Sequence, residues 1–325
     1  MKNSLKKSVA SAEMRLPTKS RETRISDMKY VPPCVVSTAS SPRRDKVKIA
    51  QIANKIHNVD CMTLMRSMRT NSVNMVFADP PFNLNKKYRS YKDNLPFERY
   101  LSWTAEWLSE ACRILRPDGS IFVYNIPRLL THTAGILSNF AEFRHWIAWN
   151  ANGQPLGKTL QPAHYGILFY TKNRDSKFYD VRAPHKTCRI CKEYLKDYGG
   201  KKHLRHEFGY QVSDVWDDIH RVRHNSKRID AHPCQLPVHL IERMILMTTD
   251  ANDIVFDPFC GGGSAAVAAK QTGRRYIGTE IDKGYCAAAR KKYKDAKEIQ
   301  AGGAYVSMHL NKIISIRDVD WEKIL

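Results

Sequence analysis

Residues 254–264 read IVFDPFCGGGS, a stretch that predicts a buried strand followed by a tight turn into a helix. The small residues of the turn let the backbone approach a bound ligand closely. Asp257 stands at the entrance of the turn, and its acid suits a cationic or amine-bearing ligand better than a phosphate. The spacing of the glycines also differs from the G-x-G-x-x-G pattern of dinucleotide-binding turns.

Strand and helix patterns alternate on both sides of this turn. Strands are predicted at residues 73–77, 121–124, 146–149, 166–170, 254–256 and 276–279. Helices are predicted over residues 97–115, 127–140, 237–247 and 264–273, and another from residue 283. The first of these helices is expected to stop at Pro117, Asp118 and Gly119. The alternation predicts an α/β fold with a doubly wound, mostly parallel, Rossmann-like sheet.

Two segments depart from this alternation. Residues 1–46 carry 11 Lys and Arg against 4 acidic residues, and they are predicted to be a disordered basic tail rather than a transit peptide. Residues 172–230 are polar, basic and rich in His, and they are predicted to be an irregular insert. The insert separates residues 47–171 from residues 231–325, which are predicted to be two halves of one domain. Apolar residues at 304–306 and 313–316 predict an added edge strand.

The charge of the chain indicates a polyanionic partner. The 325 residues carry a formal net charge of +21, with a pI near 9.7, and a phosphate backbone is the usual partner of such a chain. No apolar run approaches 18 residues and no secretory signal begins the sequence, so neither a membrane association nor an oxidising compartment is expected. An intracellular protein with reduced cysteines is predicted.

A second motif, ADPPFN at residues 78–83, follows the predicted strand 73–77. An exocyclic base amine is a poor nucleophile because its lone pair is delocalised into the ring. Asp79 and the backbone carbonyl of Pro80 supply two acceptors for the amine hydrogens, and Pro81 helps to fix the turn. Phe82 offers a face on which an extruded base can stack. The motif therefore indicates a pocket for a planar base that carries an amine.

The two motifs, in this order, resemble the permuted (β-class) S-adenosylmethionine-dependent DNA amino-methyltransferases. The resemblance implies a Rossmann-like methyltransferase fold, S-adenosylmethionine as cofactor, and direct methyl transfer to a flipped base. It implies Asp79, Pro80, Pro81 and Phe82 as the catalytic residues. It implies a cofactor site made of Asp257, Phe259, Gly261 and Gly263 at the methionine end, Glu280 at the ribose, and Asp60 near the adenine.

Asp at the first position of the catalytic motif usually accompanies adenine in these families, so the resemblance favours adenine N6. Cytosine N4 stays open as an alternative within the same class. A DNA-binding protein that kept the fold but lost catalysis is a different reading, and the intact motifs count against it. An RNA methyltransferase is a third reading that charge alone does not exclude.

Residues 232–237 read HPCQLP and contain the Pro-Cys-Gln motif of the cytosine-C5 methyltransferases. In those enzymes the thiolate attacks the ring. The context here instead resembles the segment just before the glycine turn in the permuted amino-methyltransferases. By that resemblance His232 and Gln235 help to close the cofactor pocket, and Cys234 is not a nucleophile.

The insert contains two pairs of metal-ligating residue types, Cys188 with Cys191 and His203 with His206. Their spacing resembles a structural zinc site, with His185 as a rival ligand. Free cysteines and surface histidines are the plainer alternative. The insert lies where the resemblance expects target recognition, so basic residues within it are candidates for DNA contacts.

The resemblance also implies partners and a setting. Double-stranded DNA is the expected substrate, and a homodimer and a cognate restriction endonuclease are expected partners. The predicted location is the cytoplasm or nucleoid of a prokaryote, or expression from a phage or mobile element.

Overall fold

The structure is a computed structural model that describes residues 47–86, 90–91, 93–151, 160, 162–183, 210–222 and 235–297, with strand residues 305–306 and 314–315. The helices are α1 (Ile49–Ile52), α2 (Cys61–Ser67), α3 (Phe97–Ile114), α4 (Pro127–Leu137), α5 (Val238–Thr248), α6 (Ser264–Gln271) and α7 (Lys283–Asp295). The strands are β1 (Lys55–His57), β2 (Val73–Ala78), β3 (Leu115–Asn125), β4 (Glu142–Asn150), β5 (His164–Thr171), β6 (Arg182–Ala183), β7 (Tyr210–Gln211), β8 (Val215–Trp216), β9 (Ile254–Asp257), β10 (Arg275–Thr279), β11 (Tyr305–Val306) and β12 (Ile314–Ser315).

Among these strands, eight form the main sheet in the order β1-β10-β9-β2-β3-β5-β4-β8. All neighbours are parallel except β5, which runs antiparallel to both β3 and β4. The two central strands, β2 and β9, are buried at every position except Asn74, which is intermediate. Such burial is typical of parallel strands that are covered on both faces. The predicted doubly wound, mostly parallel sheet is confirmed.

Helix α3 shows how the sequence pattern becomes packing. Its buried positions include Tyr100, Trp107, Leu108 and Ala111, which recur at helical spacing on one face. The helix ends at Ile114, three residues before the predicted stop at Pro117. The residue before a proline disfavours the α conformation, and the chain already pairs with β2 at Leu115.

The described parts of the insert are partly regular. Strand β8 joins the edge of the main sheet beside β4, and the Trp149 indole donates to the Ile219 carbonyl at 2.7 Å. Arg243 of α5 is fully buried, bonds both carboxyl oxygens of Asp218 at 3.0 and 2.5 Å, and lies 5.0 Å from the Trp216 ring. Residues 215–219 are thus fixed to the domain by an ion pair between the buried Arg243 and the more exposed Asp218.

A second, four-stranded sheet has the order β12-β11-β6-β7 among the described strands. It pairs the two C-terminal strands with two strands of the insert. The sequence predicted an edge strand for this tail, and β12 is an edge strand of the smaller sheet. Within the part of the chain that the structure describes, no helix is long and apolar enough to cross a bilayer.

Candidate active site

The candidate site is a cleft at the carboxyl ends of the central strands β2 and β9. These strands pair side by side, with Val76 opposite Phe256. From β9 the chain continues to β10 on one side, and from β2 it continues to β3 on the other. Such a reversal opens a crevice above the sheet, where ligands of doubly wound folds bind. The cleft holds about 1200 Å³ of space without atoms, part of it open to solvent.

The glycine turn forms one wall of the cleft. Cys260 N–H donates to the Thr279 carbonyl at 3.0 Å, and Gly263 N–H donates to the Cys260 carbonyl at 2.9 Å. Gly261 has a φ of 49° and Gly263 a φ of 82°, conformations that side chains disfavour. These bonds close the turn, and Gly261 and Gly262, which have no side chains, line the cleft.

Two glycines of the turn have different surroundings. Gly262 lines the cleft, and a Cβ placed on it would meet only the flexible end of Lys292, at 3.5 Å. Gly263 does not line the cleft. It packs against α7, where a Cβ would lie 2.9 Å from the Ala289 Cβ. The sequence predicted a ligand contact for Gly263, which stays a prediction; in the structure this glycine packs against α7.

Two carboxyl groups of the turn region are held by defined donors. Asp257 accepts from the Phe259 N–H at 2.9 Å and from the Tyr276 hydroxyl at 3.2 Å. Glu280 accepts from the Gly261 N–H at 2.9 Å and from the Asp282 N–H at 2.7 Å. Each carboxyl oxygen can accept further hydrogen bonds, so both groups are oriented and still able to bind a ligand.

Both carboxyl groups have raised pKa values. Burial raises the pKa of Asp257 to about 7; the two donors oppose the rise and Glu280 adds to it. Burial also raises the pKa of Glu280 above its ordinary value, against the hydrogen bonds from Asp282 and Gly261. The cleft therefore gathers acids whose ionised form a cationic ligand would stabilise.

The other predicted cofactor residues converge on the same cleft where the structure describes them. Asp60 lines the cleft and caps α2 by accepting from the Thr63 N–H at 3.2 Å. Gln235 also lines the cleft, and Phe259 lies against Trp103 and Trp107 with ring centroids 5.6 and 5.2 Å apart. His232 and Cys234 lie outside the described residues.

The catalytic motif forms the opposite wall. Asp79, Pro80, Pro81 and Phe82 all line the cleft directly after β2. Asp79 is half-buried, and burial raises its pKa to about 8; Asp257 adds to the rise and Lys86 opposes it. Asp79 and Asp257 thus interact electrostatically across the space between the two motifs.

Phe82 is placed by contacts that the sequence did not predict. Its ring is buried, with its centroid 5.8 Å from that of Tyr124. The Lys86 ammonium lies 5.2 Å from the centroid of the Phe82 ring. The Tyr100 hydroxyl donates to the Pro81 carbonyl at 3.0 Å, which ties the motif to α3.

No local sequence pattern identifies several further residues of the site. Ser90 donates to the Asp282 carboxyl group at 2.6 Å and joins the catalytic loop to the start of α7. Asp93 binds several backbone N–H groups of residues 83–86. Asp93 follows the motif by ten residues or more without periodicity, so only the folded chain shows the link.

The cleft also contains two thiols, Cys61 and Cys260. Burial raises the pKa of Cys61 to about 12 and that of Cys260 well above its ordinary value, so both remain protonated and poorly nucleophilic. The predicted zinc ligands Cys188, Cys191, His203 and His206 lie outside the described residues. Among the residues that the structure does describe, no group of three His, Cys, Asp or Glu side chains forms a metal site.

Comparison with known proteins agrees with this geometry. A family model described as DNA methylase matches residues 73–291. The chain is 38% identical to the type II methyltransferase M.BamHI of Bacillus amyloliquefaciens over 254 residues, which are 77% of this chain and 60% of that protein. The chain belongs to the DNA methylase family, which groups N6-adenine and N4-cytosine enzymes. The predicted resemblance is confirmed.

Solved structures show the same fold at low identity. The PvuII DNA methyltransferase (cytosine-N4-specific) matches 73% of this chain and 85% of its own, with 20% identity and a TM-score of 0.55. A putative DNA modification methylase from Thermus thermophilus, solved with S-adenosyl-L-methionine, matches 77% of this chain and 99% of its own, with 21% identity and a TM-score of 0.51. These matches establish the Rossmann-like methyltransferase fold.

Proposed function

We propose that the chain is an S-adenosylmethionine-dependent DNA methyltransferase that methylates the exocyclic N6 of a flipped adenine. One observation carries the proposal: Asp79 of the catalytic motif and Asp257 of the glycine turn face one cleft across neighbouring central strands. A base amine and a methyl donor can therefore meet in the same space. Family membership supports DNA as the substrate, and Asp79 favours adenine over cytosine.

The residues of the cleft fit S-adenosylmethionine. When bound, it supplies an electrophilic methyl group on a positively charged sulfur. Glu280 has the orientation and free acceptor positions to hold ribose hydroxyls, and the open backbone at Gly261 and Gly262 admits a ligand closely. Asp257, whose pKa is about 7, is able to ionise near a cationic ligand.

Asp79 and the Pro80 carbonyl are proposed to accept the two hydrogens of the amine. Holding both hydrogens reduces conjugation of the nitrogen with the ring and directs its lone pair toward the methyl group. An exocyclic amine nitrogen that becomes methylated gives up one proton. Asp79, with a pKa near 8, is suited to accept that proton and pass it to solvent. The face of Phe82 stacks on the extruded base.

The test is incubation of the purified protein with S-adenosylmethionine and unmethylated duplex DNA of mixed sequence, followed by mass spectrometry of the digested nucleosides. N6-methyladenine is the expected product. N4-methylcytosine would keep the mechanism and overturn the base assignment. Methyl transfer to RNA but not to DNA in parallel reactions would overturn the substrate assignment.

The setting is proposed from the relatives. M.BamHI is named a type II methyltransferase. By analogy, this chain would protect DNA against a restriction endonuclease. It would do so in a prokaryotic cell, expressed from the chromosome or from a phage or mobile element. The endonuclease, a homodimer and a zinc ion in the insert remain predictions. Metal analysis well below one zinc per chain would end the zinc prediction.

A further inference from the structure

The segment that follows the catalytic motif is organised around one buried acid. Asp93 is 2% exposed. Its Oδ1 accepts from the Asn83 N–H at 2.7 Å, and its Oδ2 accepts from the N–H groups of Leu84 and Lys86 at 3.0 and 3.1 Å. Its own carbonyl accepts from the Asn85 N–H at 2.6 Å. Asp93 thus accepts hydrogen bonds from the four consecutive backbone N–H groups of residues 83–86.

Asn83 closes the base of the same loop. Its side-chain amide donates to the Leu95 carbonyl at 2.8 Å, and its side-chain oxygen accepts from the Leu95 N–H at 2.7 Å. Asn83 and Asn85 have φ angles of 53° and 58°, which Asn tolerates better than most residues. Such a backbone persists only when its surroundings hold it, and the bonds to Asp93 do so.

The loop of residues 83–86 forms part of the half of the cleft that is proposed to bind the base. Asn83 directly follows Phe82, and Lys86 both lines the cleft and lies over the Phe82 ring. The same Lys86 lowers the pKa of Asp79. The contacts of the cofactor half, at Gly261 and Glu280, are made by other elements, and the segment reaches that half through the bond from Ser90 to Asp282. A change in the loop should therefore displace Phe82 and Lys86 more than the cofactor turn.

We propose that Asp93 is a positioning residue for methyl transfer, because it holds residues 83–86 in the one conformation that places Phe82 and Lys86 around the target base. The proposal rests on the proposed function. Asp93 does not line the cleft and is not expected to touch the substrate. Its effect on the reaction passes through the backbone of the loop.

The test is the variant Asp93→Asn, which keeps size but turns one acceptor oxygen into a donor facing backbone N–H groups. We expect the single-turnover rate at saturating DNA and cofactor to fall about 10- to 100-fold, because displacements near 1 Å cost rates of that order. The dissociation constant for S-adenosylmethionine should change less than about threefold. Asn83→Ala should give the same pattern, and the two effects should be less than additive because they act on one loop.

Asp253→Asn is the matched control. Asp253 also holds a turn, by accepting from the Asp250 N–H at 2.8 Å, but it precedes β9 at the opposite end of the sheet from the cleft. This variant should lose stability without losing transfer rate. If Asp93→Asn keeps the wild-type rate, or loses rate only in proportion to cofactor binding and melting temperature, the positioning role is wrong.

A second readout separates this proposal from the function itself. Peptide-resolved hydrogen–deuterium exchange over residues 82–96, measured without substrate, should speed up in Asp93→Asn and stay unchanged in Asp253→Asn. Unchanged exchange in Asp93→Asn would overturn the positioning role. A wild-type protein that transfers no methyl group, combined with faster exchange in Asp93→Asn, would overturn the function and support the role of Asp93 in the loop.

Discussion

The raised pKa of Asp79 lowers the stability of the folded protein at neutral and alkaline pH. Between about pH 4 and pH 8 the Asp79 carboxyl group binds a proton in the folded chain, whereas the unfolded chain has released it. The folded state is therefore favoured less and less as the pH rises from about 4 to 8. Active sites commonly retain such groups because the reaction needs them.

Asp79→Asn should accordingly stabilise the protein at high pH while stopping transfer. We expect its free energy of unfolding to exceed the wild-type value by on the order of 2 kcal/mol at pH 8.5, with the difference shrinking toward pH 4. Denaturant unfolding at the two pH values measures this. A difference independent of pH would contradict the raised pKa of Asp79.

Asp250→Asn provides the control of opposite sign. Its hydrogen bonds from Lys177 and Tyr179 lower the pKa of Asp250, so its contribution to stability is present above the unfolded pKa and is lost as the pH falls. This variant should be slightly less stable than wild type at pH 8.5, with the deficit vanishing in acid. The effect is small because Asp250 is half exposed.

The paired acids also predict how cofactor affinity depends on pH. A sulfonium favours ionised Asp79 and Asp257, whose pKa values lie near 8 and 7, so its binding should release protons below pH 8. Affinity for S-adenosylmethionine should rise roughly tenfold from pH 6 to pH 8.5. Affinity for S-adenosylhomocysteine, which has a neutral sulfur, should change less. Calorimetry with both ligands checks this, and equal pH profiles would contradict it.

At the scale of elements, the glycine turn joins β9 to α6 and packs on α7. Gly263→Ala should destabilise the protein by about 1–3 kcal/mol, because the φ of 82° and the contact with Ala289 both oppose a methyl group. Gly262→Ala should leave stability nearly unchanged and weaken cofactor binding, because its methyl group would enter the cleft. Thermal melts and calorimetry separate the two, and a reversed pattern would contradict these assignments.

The elements that the sequence predicted well are those with a local signal. The apolar run at β9 and the glycines after it identify a strand, a turn and a helix within a few residues. The loop held by Asp93 has no such signal, because its bonds join residues seven to ten positions apart. The helix α3 ends at Ile114, three residues before the predicted stop signal at Pro117, since pairing of Leu115 with β2 outweighs the helical pattern.

At the scale of the molecule, the cleft depends on two strands that lie about 180 residues apart in the chain. One hydrogen bond between them joins the Ile254 N–H of β9 to the side-chain oxygen of Asn74 in β2, at 3.0 Å. Alternating elements predict a doubly wound sheet, but not which strands become neighbours. The resemblance to a family implied a Rossmann-like methyltransferase fold, and the strand order itself comes from the structure. The pairing of the C-terminal strands with the insert followed from neither source.

This arrangement predicts different roles for the two sides of the cleft. Residues on the β2 side act on the base, and residues on the β9 side hold the cofactor. Asp79→Asn and Glu280→Gln test it with one isosteric change on each side. At pH 7 Asp79 is largely protonated in the wild type, so the dissociation constant of Asp79→Asn for S-adenosylmethionine should lie within about fivefold of the wild-type value. Glu280→Gln should lose affinity about tenfold or more.

The most direct measurement is the single-turnover rate of methyl transfer to duplex DNA for the two variants, with the cofactor saturating and its affinity measured in parallel. We expect Asp79→Asn to lose at least about 10²-fold in rate while it still binds cofactor. We expect Glu280→Gln to regain a rate within a few fold of wild type once it is saturated with cofactor. Wild-type transfer by Asp79→Asn, or parallel loss of rate and affinity in both variants, would contradict these roles of the two residues.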